Sequence, residues 1–113
     1  MNYNPKIKIM FENKDGKFFG PGLFDLLNLI NQNNSIKESA FQMGISYSKA
    51  RKMIKNLELE LGEDVIVTKS GGVGGGESYI TEYAEEFITL YDQYLTEVIN
   101  FSEMKFLEIY KEK

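Results

Sequence analysis

Residues 35–62 read SIKESAFQMGISYSKARKMIKNLELELG, two helical signatures with almost no chain between them. Ser35 offers an N-cap oxygen with Glu38 three residues on, the spacing of a capping box. Ile36, Ala40 and Met43 share one face of the short helix that follows, and Gly44 stands where a left-handed residue ends it. Only Ile45 separates that glycine from Ser46, a second N-cap candidate. From Ser46 a longer helix is predicted to run to Gly62, with Tyr47, Ala50, Met53, Ile54, Leu57 and Leu61 on one side. Two helices joined by about three residues including a glycine have the geometry of a helix-turn-helix. The same spacing also serves an ordinary packed pair of helices.

The outer face of the second helix separates the two. Ser48, Lys49, Arg51, Lys52, Lys55 and Asn56 point away from the apolar stripe, and between 46 and 57 there are four positive residues and no negative one. A solvated helix usually mixes both signs, as this chain does directly afterwards with Glu58 and Glu60. An unrelieved basic face with small polar residues at its N-terminal end suits insertion into a DNA groove. Lys49, Arg51, Lys52 and Lys55 are the candidates for phosphate and base-edge contacts, with Ser46, Tyr47 and Ser48 at the helix start, where base contacts usually originate. Tyr47 also belongs to the apolar stripe and serves the core equally well on this pattern.

The flanking segments carry strand and turn signals. Ile7, Ile9 and Phe11 alternate with Lys6, Lys8 and Met10, Asp15-Gly16 marks a hairpin turn, and Phe18-Phe19 supplies a short return strand. Pro21, between two glycines, ends that hairpin, and Leu23, Leu26, Leu27 and Ile30 follow at helical spacing. After Gly62, residues 65–69 (VIVTK) and 78–81 (SYIT) read as paired strands, with a tip that holds five glycines in the six positions 71–76. A Walker phosphate loop needs Gly-Lys-Ser/Thr, yet Gly76 is followed by Glu77 and Ser78. A dinucleotide fingerprint needs a helix next, yet Tyr79-Ile80 continues a strand. A hairpin directly after a recognition helix is a wing. There bare backbone at Gly72, Gly74 and Gly75 is free to approach the sugar-phosphate rails and donate N–H groups to phosphate oxygens. Ser35 and Lys69 are candidates for backbone positioning. A loop without a partner, or a nucleotide or oxyanion site, are the competing uses of such a tip.

Thr81 caps the last predicted helix, with Glu82, Glu85 and Glu86 near its positive end. Ala84, Phe87, Tyr91, Tyr94, Val98 and Phe101 then follow the 3-4 spacing of a coiled-coil seam, widened by Ile88, Leu95 and Ile99. Phe87, Tyr91, Tyr94, Val98 and Phe101 are the candidate dimer interface, with packing on the helix's own domain as the alternative.

Charge divides along the same line. Residues 1–80 hold ten Lys/Arg against nine Asp/Glu, and residues 81–113 hold three Lys against eight acids, so the overall −4 comes from the C-terminal segment. With no His and no Cys, the commonest general base, thiolate chemistry and zinc-thiolate sites are excluded, which argues against an enzyme while leaving carboxylate, Ser/Lys or hard-cation chemistry open; no cofactor and no metal site are expected. No apolar run spans a bilayer and no secretory signal is evident at MNYNPKIKIM, so a cytoplasmic home is expected.

Taken in order, "DGKFFGPG" (15–22), "SIKESAFQMGISYSKA" (35–50) and "GGVGGG" followed by "YIT" (71–76, 79–81) resemble the opening hairpin, helix-turn-helix and glycine-rich wing of ModE-type molybdate-responsive regulators, over roughly residues 7–91. The resemblance implies a LysR-like winged helix, dimeric through a long helix, with recognition helices in successive major grooves. The chain departs from the family's pattern at Arg51, where members often carry Trp, and at Val73, where the wing is often basic. Family members continue into C-terminal molybdate-binding modules; nothing after residue 81 has strand alternation, so molybdate binding in cis is not expected. The expectation is one mainly α domain with small β hairpins (α+β), a winged helix-turn-helix. Its parts are an N-terminal hairpin at 1–22, a helical core at 23–62, a wing at 65–81 and a dimerisation helix at 82–110. Its expected role is a dimeric regulator binding double-stranded DNA. A protein-interaction module acting through the acidic helix is the alternative, since fold does not fix function.

Overall fold

The computed structural model describes residues 2–69 and 76–111. Its elements are β1 (Phe11–Asn13), β2 (Gly16–Phe19), α1 (Pro21–Asn33), α2 (Ile36–Met43), α3 (Tyr47–Leu61), β3 (Ile66–Lys69), β4 (Glu77–Ile80) and α4 (Glu82–Ile109). The strands form two separate antiparallel hairpins, β1 with β2 and β3 with β4.

Three of the four helices, α2, α3 and α4, begin on a hydroxyl cap. Ser35 Oγ accepts from the Glu38 N–H at 3.0 Å, Ser46 Oγ from the Lys49 N–H at 3.0 Å, and Thr81 Oγ1 from the Ala84 N–H at 3.1 Å. Only half of the expected capping box forms at α2. The Ser35 N–H donates to Asn33 Oδ1 at 2.9 Å, so Glu38 has no backbone donor to reach back to and accepts instead from Gln42. Gly44 (φ 71) and Gly62 (φ 69) terminate α2 and α3 in the left-handed region, where a Cβ would be strained.

The apolar faces meet in one core. Leu26, Leu27 and Ile30 of α1 pack with Ile36 and Ala40 of α2, Ala50, Ile54 and Leu57 of α3, Val65, and Ala84, Ile88 and Tyr91 of α4. The expected first strand is shorter than its alternation suggested. Residues 2–10 form no ladder, and pairing begins at Phe11, with Phe18 as the extra residue of a bulge between the Phe11–Phe19 and Glu12–Lys17 pairs. The segment before β1 runs toward α4 instead: the Tyr91 hydroxyl donates to the Ile9 carbonyl at 2.6 Å, and Tyr3 meets Phe106 edge-on at 5.8 Å.

Tyr91 is therefore enclosed by its own chain. It is 2% exposed, with Phe19, Phe24 and Phe11 rings at centroid distances of 4.8, 4.9 and 5.4 Å. Burial raises its phenol above the ordinary tyrosine value, and the Asp25 carboxylate adds to the rise. Beyond the core α4 continues outward. Its 28 residues span about 42 Å at 1.5 Å per residue. The longest dimension of the molecule is 65 Å and its radius of gyration 17.3 Å, against about 13 Å for a compact chain of this length.

Replacing Tyr91 by Phe removes one buried hydrogen bond and leaves the ring packing. The expected loss in urea unfolding is about 1 kcal/mol, set against about 3–5 kcal/mol for Tyr91→Ala. Equal losses in the two variants would show that the hydroxyl, not the ring, fixes the arm to α4.

Candidate nucleic-acid interface

The interface is built from the inside of α3 outward. Ala50, Ile54 and Leu57 are buried, which fixes the rotation of the helix about its axis. Ser46, Ser48, Lys49, Arg51, Lys52, Lys55 and Asn56 then fall on exposed positions. Ser46 uses its hydroxyl oxygen as the α3 cap, which leaves its O–H proton to donate outward.

Tyr47 lies on the exposed side rather than in the core, at 49% exposure. It occupies the first helical position, one turn before the buried stripe begins at Ala50. Its hydroxyl accepts from Arg51 Nη1 at 3.3 Å, and the Arg51 guanidinium lies 5.8 Å from the ring centroid, a cation–π pairing one turn apart. Tyr47 and Arg51 thus form a single exposed unit at the start of α3.

The wing is tied to the far end of the same helix. Glu58 Oε2 accepts from the backbone N–H groups of Val65 at 2.8 Å and Ile66 at 3.3 Å. Thr81 donates its hydroxyl to the Asp64 carbonyl at 2.7 Å and its N–H to the Val65 carbonyl at 2.9 Å. The Ser78 N–H donates to the Asn34 carbonyl at 2.9 Å, joining β4 to the end of α1. Lys69, the last residue of β3, is exposed with its ammonium 5.2 Å from the Tyr79 ring centroid. The Tyr79 hydroxyl donates to the Glu77 carboxylate, which raises the phenol above its ordinary value. Gly72, Gly74 and Gly75 lie outside the described residues.

Ser35 is half-buried, with its side chain engaged as the α2 cap. Of the seam residues on α4, Tyr94 and Phe101 are exposed, Phe87 and Val98 are half-buried, and Tyr91 is covered by its own domain. Leu90 and Met104 join the exposed set. The wing-anchoring role of Glu58 was not visible in the sequence, because its partners are backbone groups seven and eight residues on. Phe41, 78% exposed on α2 next to the turn, was likewise missed; it falls off the Ile36–Ala40 face. Among the described residues, no group of three or more acidic, His or Cys side chains is placed to hold a metal, and no helix is long and apolar enough to cross a membrane.

These elements define a winged helix-turn-helix carrying a long C-terminal helix. No protein-family model matches the chain. Comparison with curated proteins finds similarity to "Transcriptional regulator ModE" of Yersinia pestis, 38% identical over 76 residues, which is 66% of this chain and 28% of that protein. The "DNA-binding transcriptional dual regulator ModE" of Escherichia coli K12 is 37% identical over 76 residues, 66% of this chain and 29% of that protein. A "Transcriptional regulator ModE" of Shigella flexneri matches to the same extent. The matched stretch is less than a third of the length of these relatives. Over that stretch the resemblance to ModE-type regulators read from the motifs is borne out.

Glu58→Ala leaves two backbone donors at the wing base without their carboxylate. The expected results are faster amide exchange at Val65 and Ile66 and a stability loss of about 1–3 kcal/mol. Unchanged exchange at both amides would remove Glu58 as the link between wing and helix.

Proposed function

We propose that the protein binds double-stranded DNA as a homodimeric transcriptional regulator, with α3 in the major groove and the wing against the backbone. The observation that carries this reading is the exposed face of α3, four cations from Lys49 to Lys55 with no carboxylate between them. Three relatives named as transcriptional regulators support it, one of them named as DNA-binding.

In this arrangement Ser46 and Ser48 meet base edges at the start of α3, beside the Tyr47–Arg51 unit. Lys49, Lys52 and Lys55 neutralise phosphates along its length, and Lys69 with the glycine-rich tip, including Gly72, Gly74 and Gly75, lies along the sugar-phosphate rail. Ser35, held in its cap, acts through the position of α2. Binding is non-enzymatic, uses no cofactor and takes place in the cytoplasm.

The second copy packs along α4. Leu90, Tyr94 and Phe101 leave an exposed apolar stripe on a helix that reaches beyond its own core, and Phe87 and Val98 border it. An isologous pairing of two such stripes would present two α3 helices to half-sites about 34–36 Å apart, or a multiple of that spacing. Glu82, Glu85 and Glu86, near the start of α4, keep that part of the surface away from DNA by repulsion.

Replacing Lys49 and Arg51 together by Ala is expected to weaken duplex binding and to flatten the slope of log K against log salt by about 0.9 per phosphate contact removed. Melting temperature should hardly move, since both side chains are exposed. Unchanged affinity in the double variant would overturn the site, and salt-independent retention would favour an interaction module over a DNA-binding one. Replacing Tyr94 and Phe101 together by Glu should convert a sedimenting dimer into a monomer and lower affinity for a two-half-site duplex; a dimer that persists would place the interface elsewhere.

A further inference from the structure

A cleft of about 720 Å³ opens between the first hairpin, the start of α1 and the flank of α3. Met10, Phe18 and Met53 give it apolar lining, and Lys8, Lys17 and Lys49 line it as well. No Asp or Glu lines it, and among the described residues none of the three lysines takes part in an ion pair. Gly20 has no side chain to cap α1, so the partial positive charge of that helix start adds to the three ammonium groups. An open, mostly apolar concavity of this volume lined by three cations has the size and lining chemistry of a small-molecule site.

We infer that this cleft binds a small organic anion, a carboxylate or sulfonate on an aromatic or branched aliphatic body, and that its occupancy opposes DNA binding. The apolar body rests on Met10, Phe18 and Met53 while the anionic head meets the lysines. A phosphate strand of DNA would satisfy the lysines but set a hydrated, charged backbone against the apolar lining of Met10, Phe18 and Met53, which disfavours it as the occupant. The coupling arises because Lys49, Met53 and Asn56 of α3 line the cleft. An anion held there neutralises Lys49, one of the cations of the DNA-binding face. This second half rests on the function proposed above; the first half does not.

The test uses the unliganded full chain, isotopically labelled and titrated with naphthalene-1-carboxylate, with neutral naphthalene-1-methanol and sodium sulfate in parallel. The carboxylate is expected to give saturable shifts confined to residues 8–10, 17–23 and 49–56, with Kd below about 1 mM, and the alcohol and sulfate each to bind at least about tenfold more weakly. Gly22→Asp is the blocking variant. A Cβ at Gly22 meets nothing within 4 Å, and an acid in the first turn of α1 is favourable to the helix, so the variant should stay folded and lose the carboxylate. A Lys8→Ala, Lys17→Ala double variant should lose it as well. Scattered or absent shifts overturn the site. Sulfate as strong as the carboxylate makes it a phosphate contact, and the alcohol as strong makes it an apolar groove; either overturns the proposal. With labelled duplex present, the carboxylate should displace DNA from the parent protein and not from Gly22→Asp. Saturable binding without displacement overturns the antagonism. If the carboxylate binds but no duplex does, it is the DNA reading that falls, while the cleft stands as a ligand site.

Discussion

The buried edge of α3 governs what the rest of the molecule is able to do. Ala50, Ile54 and Leu57 lock into the packing of Leu26, Leu27 and Ile30 from α1 and Ile36 and Ala40 from α2. At 3.6 residues per turn, that commitment leaves no choice about where Ser48, Lys52 and Lys55 point. Removing any large member of this contact would cost about 2–5 kcal/mol, a large share of a small domain's stability, so rotating the cations out of place is dearer than any single surface interaction they make. The cationic face is held from behind.

The same helix fixes the wing. Glu58 lies on the side of α3 opposite to the β1–β2 hairpin and holds the first residues of β3 by two backbone hydrogen bonds. Asn13 of the hairpin reaches the Glu60 carboxylate on the other flank. The two acids that end the basic run therefore act as anchors for the two hairpins, one on each side. Charge is arranged to match: cations where the helix faces outward, carboxylates where it meets its neighbours, and further acids along α4.

Much of this was legible because it is local. Ser35, Ser46 and Thr81 cap helices through oxygen atoms three residues from the N–H they bind, and Gly44 and Gly62 end helices through their own φ, so short windows of sequence contain both partners. The apolar stripes were read for the same reason. What escaped depends on partners far along the chain. Ile7 and Ile9 alternate like a strand, but the carbonyl of Ile9 is taken by Tyr91, 82 residues away. Tyr91 fits a coiled-coil seam by spacing, and only the convergence of Phe11, Phe19 and Phe24 shows that it is already covered. Tyr47 shares the periodicity of the core, yet it precedes the point at which α3 meets α1, so it pairs with Arg51 instead. Lys8 and Lys17 come to the same cleft as Lys49 only through the fold.

The opposed charges of α3 and α4 make the central claim directly observable. Isotopically labelled protein titrated at low salt with a mixed-sequence DNA duplex should show amide shifts concentrated at residues 46–56 and at Lys69, with residues 82–86 of α4 unmoved. Shifts centred on α4, or no shifts with any duplex, would contradict the account.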